Sequence, residues 1–275
     1  MPDPAPAPAR RPAGGWGRYL AEYHDANPGI TEDVLGDARD HVGRTPYGWL
    51  VEAIPRGPST VVDLGCGSGP VCRILSCRPR GMGETEMRRV VGVDQSAGEL
   101  ARARSAPPSG LLVQARACAL PIADSTADVV VSSMALMLVP LAAVLAEVGR
   151  VLHAGGTFVA TVPMRSTGVG GGRRSAFGEI LGALGQAGTD YPEPLDGGLL
   201  VDRFSASGLT LLHDDTGLFT RTIDDPEDAG LVVRSFYAPG VDDARVDGAV
   251  ARFQRRVRSA PVPVGYRIRR LVAVR

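Results

Sequence analysis

The stretch TVVDLGCGSGP, residues 60–70, decides the fold of this chain. It joins a short apolar run to an acidic residue and three alternating glycines, which is typical of a strand that ends in a ligand-binding turn. Glycines allow positive φ angles and the close approach of a ligand, and the start of the next helix offers unpaired N–H groups. Pro70 suits the first position of that helix, because its missing N–H would have no partner there.

The spacing of the glycines separates two kinds of nucleotide-binding turn. A dinucleotide-binding turn has the pattern G-x-G-x-x-G, in which the third glycine lets the helix pack closely on the strand. Here the glycines are Gly65, Gly67 and Gly69, and Pro70 stands where the third glycine would be. Asp63 at the strand end would repel a pyrophosphate but would favour a cationic group. The turn therefore fits a nucleoside with an amino-acid tail better than NAD.

Three further segments follow the glycine turn. They are RVVGVDQS at residues 89–96, ACALPI at 117–122 with ADVVVS at 127–132, and EVGRVLHAGGTF at 147–158. Together with the turn, they resemble the motifs of the class I S-adenosylmethionine-dependent methyltransferases, in the order that this family uses. The motifs are most similar to those of the ubiquinone and menaquinone biosynthesis methyltransferases. The resemblance covers roughly residues 59–163 and implies S-adenosylmethionine as the cofactor.

The resemblance also assigns roles to individual residues. Asp94 takes the position of the acidic residue that binds the two ribose hydroxyls in the family. Arg116 stands where the family usually has an acidic residue that contacts the adenine amino group, and a guanidinium cannot accept a hydrogen bond. We therefore expect the adenine to be held by the backbone near Ala117 or by stacking. The residues predicted to bind the cofactor are Asp63, Gly65, Cys66, Gly67, Gly69, Asp94, Gln95, Arg116, Ala117, Ser132 and Tyr19.

Strand and helix patterns alternate through the middle of the chain, which predicts a parallel sheet with right-handed crossovers. With the resemblance, the expected fold class is α/β: a Rossmann-like, doubly wound, seven-stranded and mostly parallel sheet. An N-terminal helical cap and an insertion after strand five complete it. The insertion contains a glycine-rich stretch at residues 167–174 that is either a lid or a long surface loop. The expected division is a disordered tail at 1–15, the helical cap at 16–55 and the methyltransferase domain at 56–275.

The composition indicates which binding partners and which cellular compartment to expect. Equal numbers of acidic and basic residues, 30 of each, argue against the strongly basic surface of a nucleic-acid-binding protein. No apolar run approaches the roughly 18 residues of a membrane span, and the Pro-rich start lacks the apolar core of a signal peptide. The four cysteines lack paired spacing, so we expect reduced thiols and no metal site. These features predict a cytoplasmic monomer or homodimer without membrane contact.

Methyl transfer from a sulfonium requires in-line alignment of the acceptor, and it needs a base only where the acceptor must lose a proton. His24 is the predicted base, because histidine titrates near neutral pH and this one lies in an aromatic-rich segment expected to cap the pocket. All 30 basic residues are arginine, which is typical of a high-GC bacterial genome. We expect a small-molecule acceptor, such as a bacterial secondary metabolite, with methylation at O, N or C.

Two other functions are compatible with the sequence. The arginines between residues 252 and 270 would contact phosphates if the protein methylated RNA. The fold also supports proteins that bind the cofactor without transferring a methyl group, such as a cyclase or a binding protein. The departure at Arg116 keeps this second alternative open.

Overall fold

Seven strands among the described residues form a single sheet. The computed structural model describes residues 15–57, 59–77, 88–106, 110–164, 175–186, 189, 191–193, 195 and 199–275. The strands are β1 (Ser59–Leu64), β2 (Arg88–Asp94), β3 (Leu111–Gln114), β4 (Ala127–Ser133), β5 (Leu152–Pro163), β6 (Thr210–Ile223) and β7 (Val262–Val274). Their order is β3-β2-β1-β4-β5-β7-β6. Strands β1 to β5 run parallel, and β7 pairs antiparallel with β5 and β6. The predicted fold class is confirmed.

Ten α-helices accompany the sheet in the described part of the chain. They are α1 (Trp16–Ala26), α2 (Ile30–Leu35), α3 (Pro46–Glu52), α4 (Pro70–Cys77), α5 (Ala97–Ser105), α6 (Leu141–Val151), α7 (Ala176–Ala183), α8 (Leu199–Ser205), α9 (Pro226–Arg234) and α10 (Asp243–Ser259). Several of these helices begin after a residue whose side-chain oxygen accepts a hydrogen bond from one of the first N–H groups, as is preferred at helix starts. The Thr45 hydroxyl accepts from the Gly48 N–H at the start of α3, and the Ser96 hydroxyl accepts from the Glu99 N–H at the start of α5.

Alternate residues of the central strands enter two separate apolar clusters, one on each face of the sheet. Val61 and Val129 belong to the cluster to which α3, α4, α9 and α10 contribute. Val62 and Val130 belong to the opposite cluster, where α6 and α8 pack. Coverage of both faces is what a parallel sheet requires, because its helical connections lie on both sides. The carboxyl ends of the parallel strands are left facing the helices that precede β1.

The two arginines near the C-terminal end of the sheet are held by acidic residues of the neighbouring strand. Arg269 pairs with Asp214, and Arg270 pairs with Asp215 at 2.9 Å. The Arg270 guanidinium also lies 4.3 Å from the centre of the Trp49 ring, within the range of a cation–π contact. These side chains therefore serve the contact between β6, β7 and α3.

Some expectations fall on residues outside the described ranges. The glycine-rich stretch at 167–174 is one of them, so its role as a lid or a loop stays a prediction. The tail at 1–15 also lies outside the described ranges, apart from residue 15. The division of the chain at residues 16 and 56 stays a prediction as well. In the portion of the chain that the structure covers, no helix combines the length and the apolar character needed to cross a membrane.

Candidate functional site

The glycine turn between β1 and α4 has the backbone that its sequence predicts. Gly65, Gly67 and Gly69 have φ angles of 71°, 53° and 84°, all in the left-handed region that favours glycine. A Cβ atom at Gly65 would lie 2.7 Å from the Cβ of Ala135, which is too close for any other residue. The Gly65 N–H donates to the Val93 carbonyl at 2.8 Å, so the turn is fixed to the end of β2.

Asp63 presents a buried carboxylate at the carboxyl end of β1. Its side chain is 1% exposed, and its Oδ2 accepts from the Cys72 thiol at 3.2 Å. Its Oδ1 is buried and has no hydrogen-bond partner among the described residues. Burial, together with the negative charge of Asp94, raises the pKa of Asp63 to about 7. A buried acceptor without a donor is costly, so this position fits the cationic N–H group of a ligand.

Asp94 ends β2 beside the glycine turn. Its Oδ2 accepts from the Gly67 N–H at 2.8 Å, and its Oδ1 accepts from the Ser96 N–H at 2.9 Å. Burial raises the pKa of this carboxyl as well. Each carboxylate oxygen has a second acceptor site, so both oxygens are able to bind ligand hydroxyls while they keep these backbone partners.

A cavity of about 120 Å³ lies above the glycine turn and the ends of β1, β2 and β4. It brings together eight of the residues predicted to form the site: His24, Asp63, Gly65, Cys66, Gly67, Asp94, Gln95 and Ala117. Two features show that this cavity suits S-adenosylmethionine. The Oδ1 of Asp63 is unpaired among the described residues, and Gly65 leaves open a space that a side chain would fill.

Four residues predicted to bind the cofactor do not line this cavity. The Tyr19 hydroxyl accepts from the Ala238 N–H at 2.9 Å, and the Ser132 hydroxyl donates to the Leu64 carbonyl at 3.0 Å. Arg116 is exposed, and Gly69 faces α5, because a Cβ there would lie 3.3 Å from Ala103. Their contact with the cofactor stays a prediction.

The buried carboxylate of Glu99 joins the helical cap to the cofactor cavity. Its Oε1 lies 2.8 Å from Nδ1 of His24, and its Oε2 accepts from the Gly29 N–H at 2.8 Å. The other ring nitrogen of His24, Nε2, lies 3.0 Å from the hydroxyl of Tyr237. Burial raises the pKa of Tyr237 well above its ordinary value, so its hydroxyl stays neutral.

Sequence patterns did not point to Glu99 or Tyr237. Ser96 and Glu99 have the spacing of a capping box, which predicts that the glutamate turns back to the start of its own helix. Ser96 does accept from the Glu99 N–H, but the Glu99 side chain binds His24 and Gly29 instead. Tyr237 lies 213 residues from His24 along the chain, and no local pattern connects the two.

Two other acidic residues of the cap bind the loops around the cofactor cavity. Asp25 accepts from the Ser96 hydroxyl at 2.6 Å. Glu32 accepts from the Ser68 hydroxyl at 2.6 Å and pairs with Arg73. The cap is therefore held to the glycine turn and to the start of α5 by several polar contacts, in addition to apolar packing.

A second cavity, of about 110 Å³, adjoins the first. Thr31, Met134 and Tyr237 line both. Met134 is a non-glycine residue with a positive φ of 57°, a strained backbone that often marks functional sites. The apolar residues confined to the second cavity are Val34, Leu35, Met137, Pro163, Met164, Phe177, Phe236 and Ile268.

The second cavity has hydroxyl groups in its lining but few charged groups. Its described lining contains no acidic residue, and Arg267 is the single basic one. The Tyr266 hydroxyl is buried and has no hydrogen-bond partner among the described residues. Among those residues there is also no group of three histidine, cysteine or acidic side chains that could hold a metal ion. The second cavity is therefore suited to an apolar molecule with a polar substituent.

Comparisons with known proteins agree with this geometry. A family model described as a methyltransferase domain matches residues 62–160. Among solved structures, the cyclase SpnF is 16% identical over 99% of both chains, with a TM-score of 0.58. BH2331 from Bacillus halodurans C-125, a provisionally assigned methyltransferase, is 13% identical over 83% of this chain and 98% of its own, with a TM-score of 0.56.

The YcgJ protein from Bacillus subtilis is 17% identical over 82% of this chain and 96% of its own, with a TM-score of 0.55. At these identities the solved structures establish the fold alone. No protein with a curated function matches the chain. The finer resemblance to the ubiquinone and menaquinone group stays a prediction. The methyltransferase-domain model matches the segment that holds the glycine turn, Asp94 and β4, so residues 62–160 are similar to a methyltransferase domain.

Proposed function

We propose that the protein methylates a compact, largely apolar small molecule that binds in the second cavity. The observation that carries this proposal is the shared lining of the two cavities by Thr31, Met134 and Tyr237. When it is bound, S-adenosylmethionine supplies an electrophilic methyl group on a sulfonium. An acceptor in the adjoining cavity would be held next to that group, and alignment of this kind is the main contribution that an enzyme makes to such a displacement.

Residues at the strand ends would hold the cofactor. The free Oδ1 of Asp63 would accept from the ammonium group of the methionine part, and Asp94 would accept from the ribose hydroxyls. Ala117, Leu138 and Val139 also line the cavity and would surround the adenine. No acidic side chain at position 116 is needed for this arrangement, because the exposed Arg116 does not line the cavity.

The lining of the second cavity favours an acceptor that has no positive charge. A cation without a carboxylate partner would lose its hydration on entering an apolar cavity, and the described lining supplies no carboxylate. The apolar rings of Phe177 and Phe236, whose centres are 4.7 Å apart, would instead pack against an apolar skeleton. A bacterial secondary metabolite of this kind is the acceptor class that we expect.

The charges near the C-terminus weigh against RNA as the acceptor. Arg269 and Arg270 are paired with Asp214 and Asp215. Arg256 is paired with Glu179 in the same way. Arginines that already have carboxylate partners contribute little to phosphate binding, and the chain as a whole has no net charge.

A non-methylating role is the second candidate, and one observation favours it. The cyclase SpnF aligns with 99% of this chain, including the cap. A shared fold does not determine chemistry, so this likeness does not outweigh the methyltransferase proposal. A monomer or homodimer in the cytoplasm remains our expectation for its state in the cell.

The function is tested by incubating the protein with methyl-labelled S-adenosylmethionine and an extract of its source organism that is separated into small molecules and RNA. We expect label in the small-molecule fraction.

Phe177→Ala should raise the KM for the labelled acceptor about tenfold through lost apolar contact, with unchanged cofactor affinity. Phe177→Leu is the matched control and should behave nearly as the wild type. Label in RNA alone, or no transfer at all, would contradict the proposal.

Replacement of Asp94 tests the ribose assignment. Asp94→Ala should weaken the binding of S-adenosylhomocysteine by about 10- to 100-fold, because hydrogen bonds from two hydroxyls to a charged group are lost. Isothermal titration calorimetry measures the change, and a thermal melt verifies that the variant is folded. Asp202→Ala, at an exposed position of α8, is the control and should leave affinity unchanged. Equal affinities of Asp94→Ala and the wild type would refute the assignment.

The raised pKa of Asp63 predicts pH-dependent cofactor binding. The ammonium group of the ligand pairs with the ionised carboxylate, so protonation of Asp63 below its pKa of about 7 weakens binding. We expect the affinity for S-adenosylhomocysteine to rise about tenfold from about pH 6 to about pH 8. Asp63→Asn, which cannot ionise, should lose this part of the pH dependence. If both proteins give the same pH profile in calorimetry, the ammonium contact is wrong.

A further inference from the structure

Close polar contacts link three buried or half-buried side chains, from α5 through α1 to the wall of the second cavity. The Glu99 carboxylate contacts the Nδ1 of His24 at 2.8 Å, and the Nε2 of His24 lies 3.0 Å from the Tyr237 hydroxyl. The His24 side chain is 19% exposed and the Glu99 side chain 4% exposed, so water competes little for these contacts. We call these three side chains the relay.

The chemistry of Glu99 determines the direction of the hydrogen bonds in the relay. An ionised carboxylate only accepts, and Glu99 already accepts from the Gly29 N–H through Oε2. Its contact with His24 therefore requires the proton of the neutral ring on Nδ1. In this neutral tautomer Nε2 is an acceptor, so the Tyr237 hydroxyl, 3.0 Å away, would donate to it. The lone pairs of the Tyr237 oxygen remain available to accept a hydrogen bond from a molecule beside it.

Tyr237 stands at the junction of the two cavities, since it lines both. Its ring is held by a T-shaped contact with Tyr23, with ring centres 4.9 Å apart, and by a second with Tyr191 at 6.4 Å. Its backbone carbonyl accepts from the side chain of Gln186 at 3.0 Å. These contacts hold the Tyr237 ring at the junction of the two cavities, and its hydroxyl contacts Nε2 of His24.

We propose that Glu99, His24 and Tyr237 form a proton relay for the methylation of a hydroxyl group, so that the acceptor class is an apolar phenol or enol. This inference rests on the proposed function and deepens it. Tyr237 is the catalytic residue that contacts the acceptor. His24 is the base that acts through it, and Glu99 is the positioning residue that selects the tautomer and stabilises the imidazolium.

The proton and electron balance of the step is complete without a further reactant. The acceptor oxygen attacks the methyl carbon, a C–O bond forms, and the S–C bond breaks with its electron pair left on sulfur. The acceptor proton passes to the Tyr237 oxygen as the proton of Tyr237 passes to Nε2 of His24. The resulting imidazolium is paired with the Glu99 carboxylate. The positive charge of the sulfonium is thereby transferred to the relay.

Burial makes Tyr237 suitable to pass a proton and unsuitable to keep a charge. Its raised pKa disfavours a free phenolate, so it must give up its own proton as it accepts another. Two other hydroxyl groups of the second cavity have no base beside them in the described part of the chain. The Ser235 hydroxyl donates to the Val232 carbonyl, and the Tyr266 hydroxyl has no partner among the described residues.

The first test needs neither cofactor nor acceptor. Protein labelled with ¹⁵N-histidine is measured by NMR, with His24→Gln used to assign the His24 signals among those of the four histidines. We expect a protonated Nδ1 and an unprotonated, hydrogen-bonded Nε2. Tyr237→Phe should shift the Nε2 signal and leave Nδ1 nearly unchanged. Protonation of the neutral ring at Nε2 would overturn the relay.

The second test compares two acceptors of nearly identical shape, 2-naphthol and 2-naphthalenethiol. The thiol ionises more readily, so its methylation depends less on a base. We expect Tyr237→Phe and His24→Gln to lower kcat/KM for the naphthol by about 100-fold or more, and for the thiol by about threefold or less. Calorimetry with S-adenosylhomocysteine should show unchanged cofactor affinity for Tyr237→Phe.

The outcomes separate the relay from the proposed function. Equal losses on both acceptors would assign Tyr237 a merely structural role and overturn the relay, as would failure of the wild type to methylate the naphthol. Label found on nitrogen or carbon of the extract product would contradict the hydroxyl class while the small-molecule function stands. Absence of any transfer to small molecules would contradict the proposed function itself, and the histidine tautomer would still report on the relay.

Discussion

The pairing of the buried Glu99 carboxylate is the constraint on which the site depends. A carboxylate taken out of water must find donors, and both donors of Glu99, the His24 ring and the Gly29 N–H, come from the helical cap. The cap therefore cannot leave the cofactor cavity without exposing or orphaning this group. The contacts of Asp25 with Ser96 and of Glu32 with Ser68 reinforce the same closure. The same contacts therefore bury these acidic groups and close the cofactor cavity.

The parallel sheet supplies the other half of the arrangement. The carboxyl ends of β1 and β2 meet at one edge, where open α/β sheets bind ligands, and they carry Asp63 and Asp94. Negative charge at two strand ends suits a cofactor with a cationic tail and ribose hydroxyls better than one with a pyrophosphate. The strained turn at Met134, at the end of β4, separates this region from the apolar cavity that would hold the acceptor. The sites proposed for the methyl donor and for the methyl acceptor therefore share a wall, and Tyr237 is part of that wall.

The fold and the cofactor end of the site could be predicted because their signals are local. The spacing of Gly65 and Gly67 and the acidic end of β2 reflect backbone constraints within a few residues. The chemistry of the acceptor end depends on contacts between distant segments, such as His24 with Tyr237, and no periodicity encodes these. The role of Glu99 could not be predicted for a different reason. Its spacing from Ser96 fits a helix cap, and only the packed structure shows that the side chain contacts His24.

A crystal structure with S-adenosylhomocysteine tests the arrangement of the two cavities most directly. The amino group should lie within hydrogen-bond distance of Oδ1 of Asp63, and the ribose hydroxyls should contact Asp94. The sulfur should face the wall formed by Thr31, Met134 and Tyr237, toward the apolar cavity. A sulfur that points away from this wall, or an amino group without contact to Asp63, would contradict the assignment of the second cavity to the methyl acceptor.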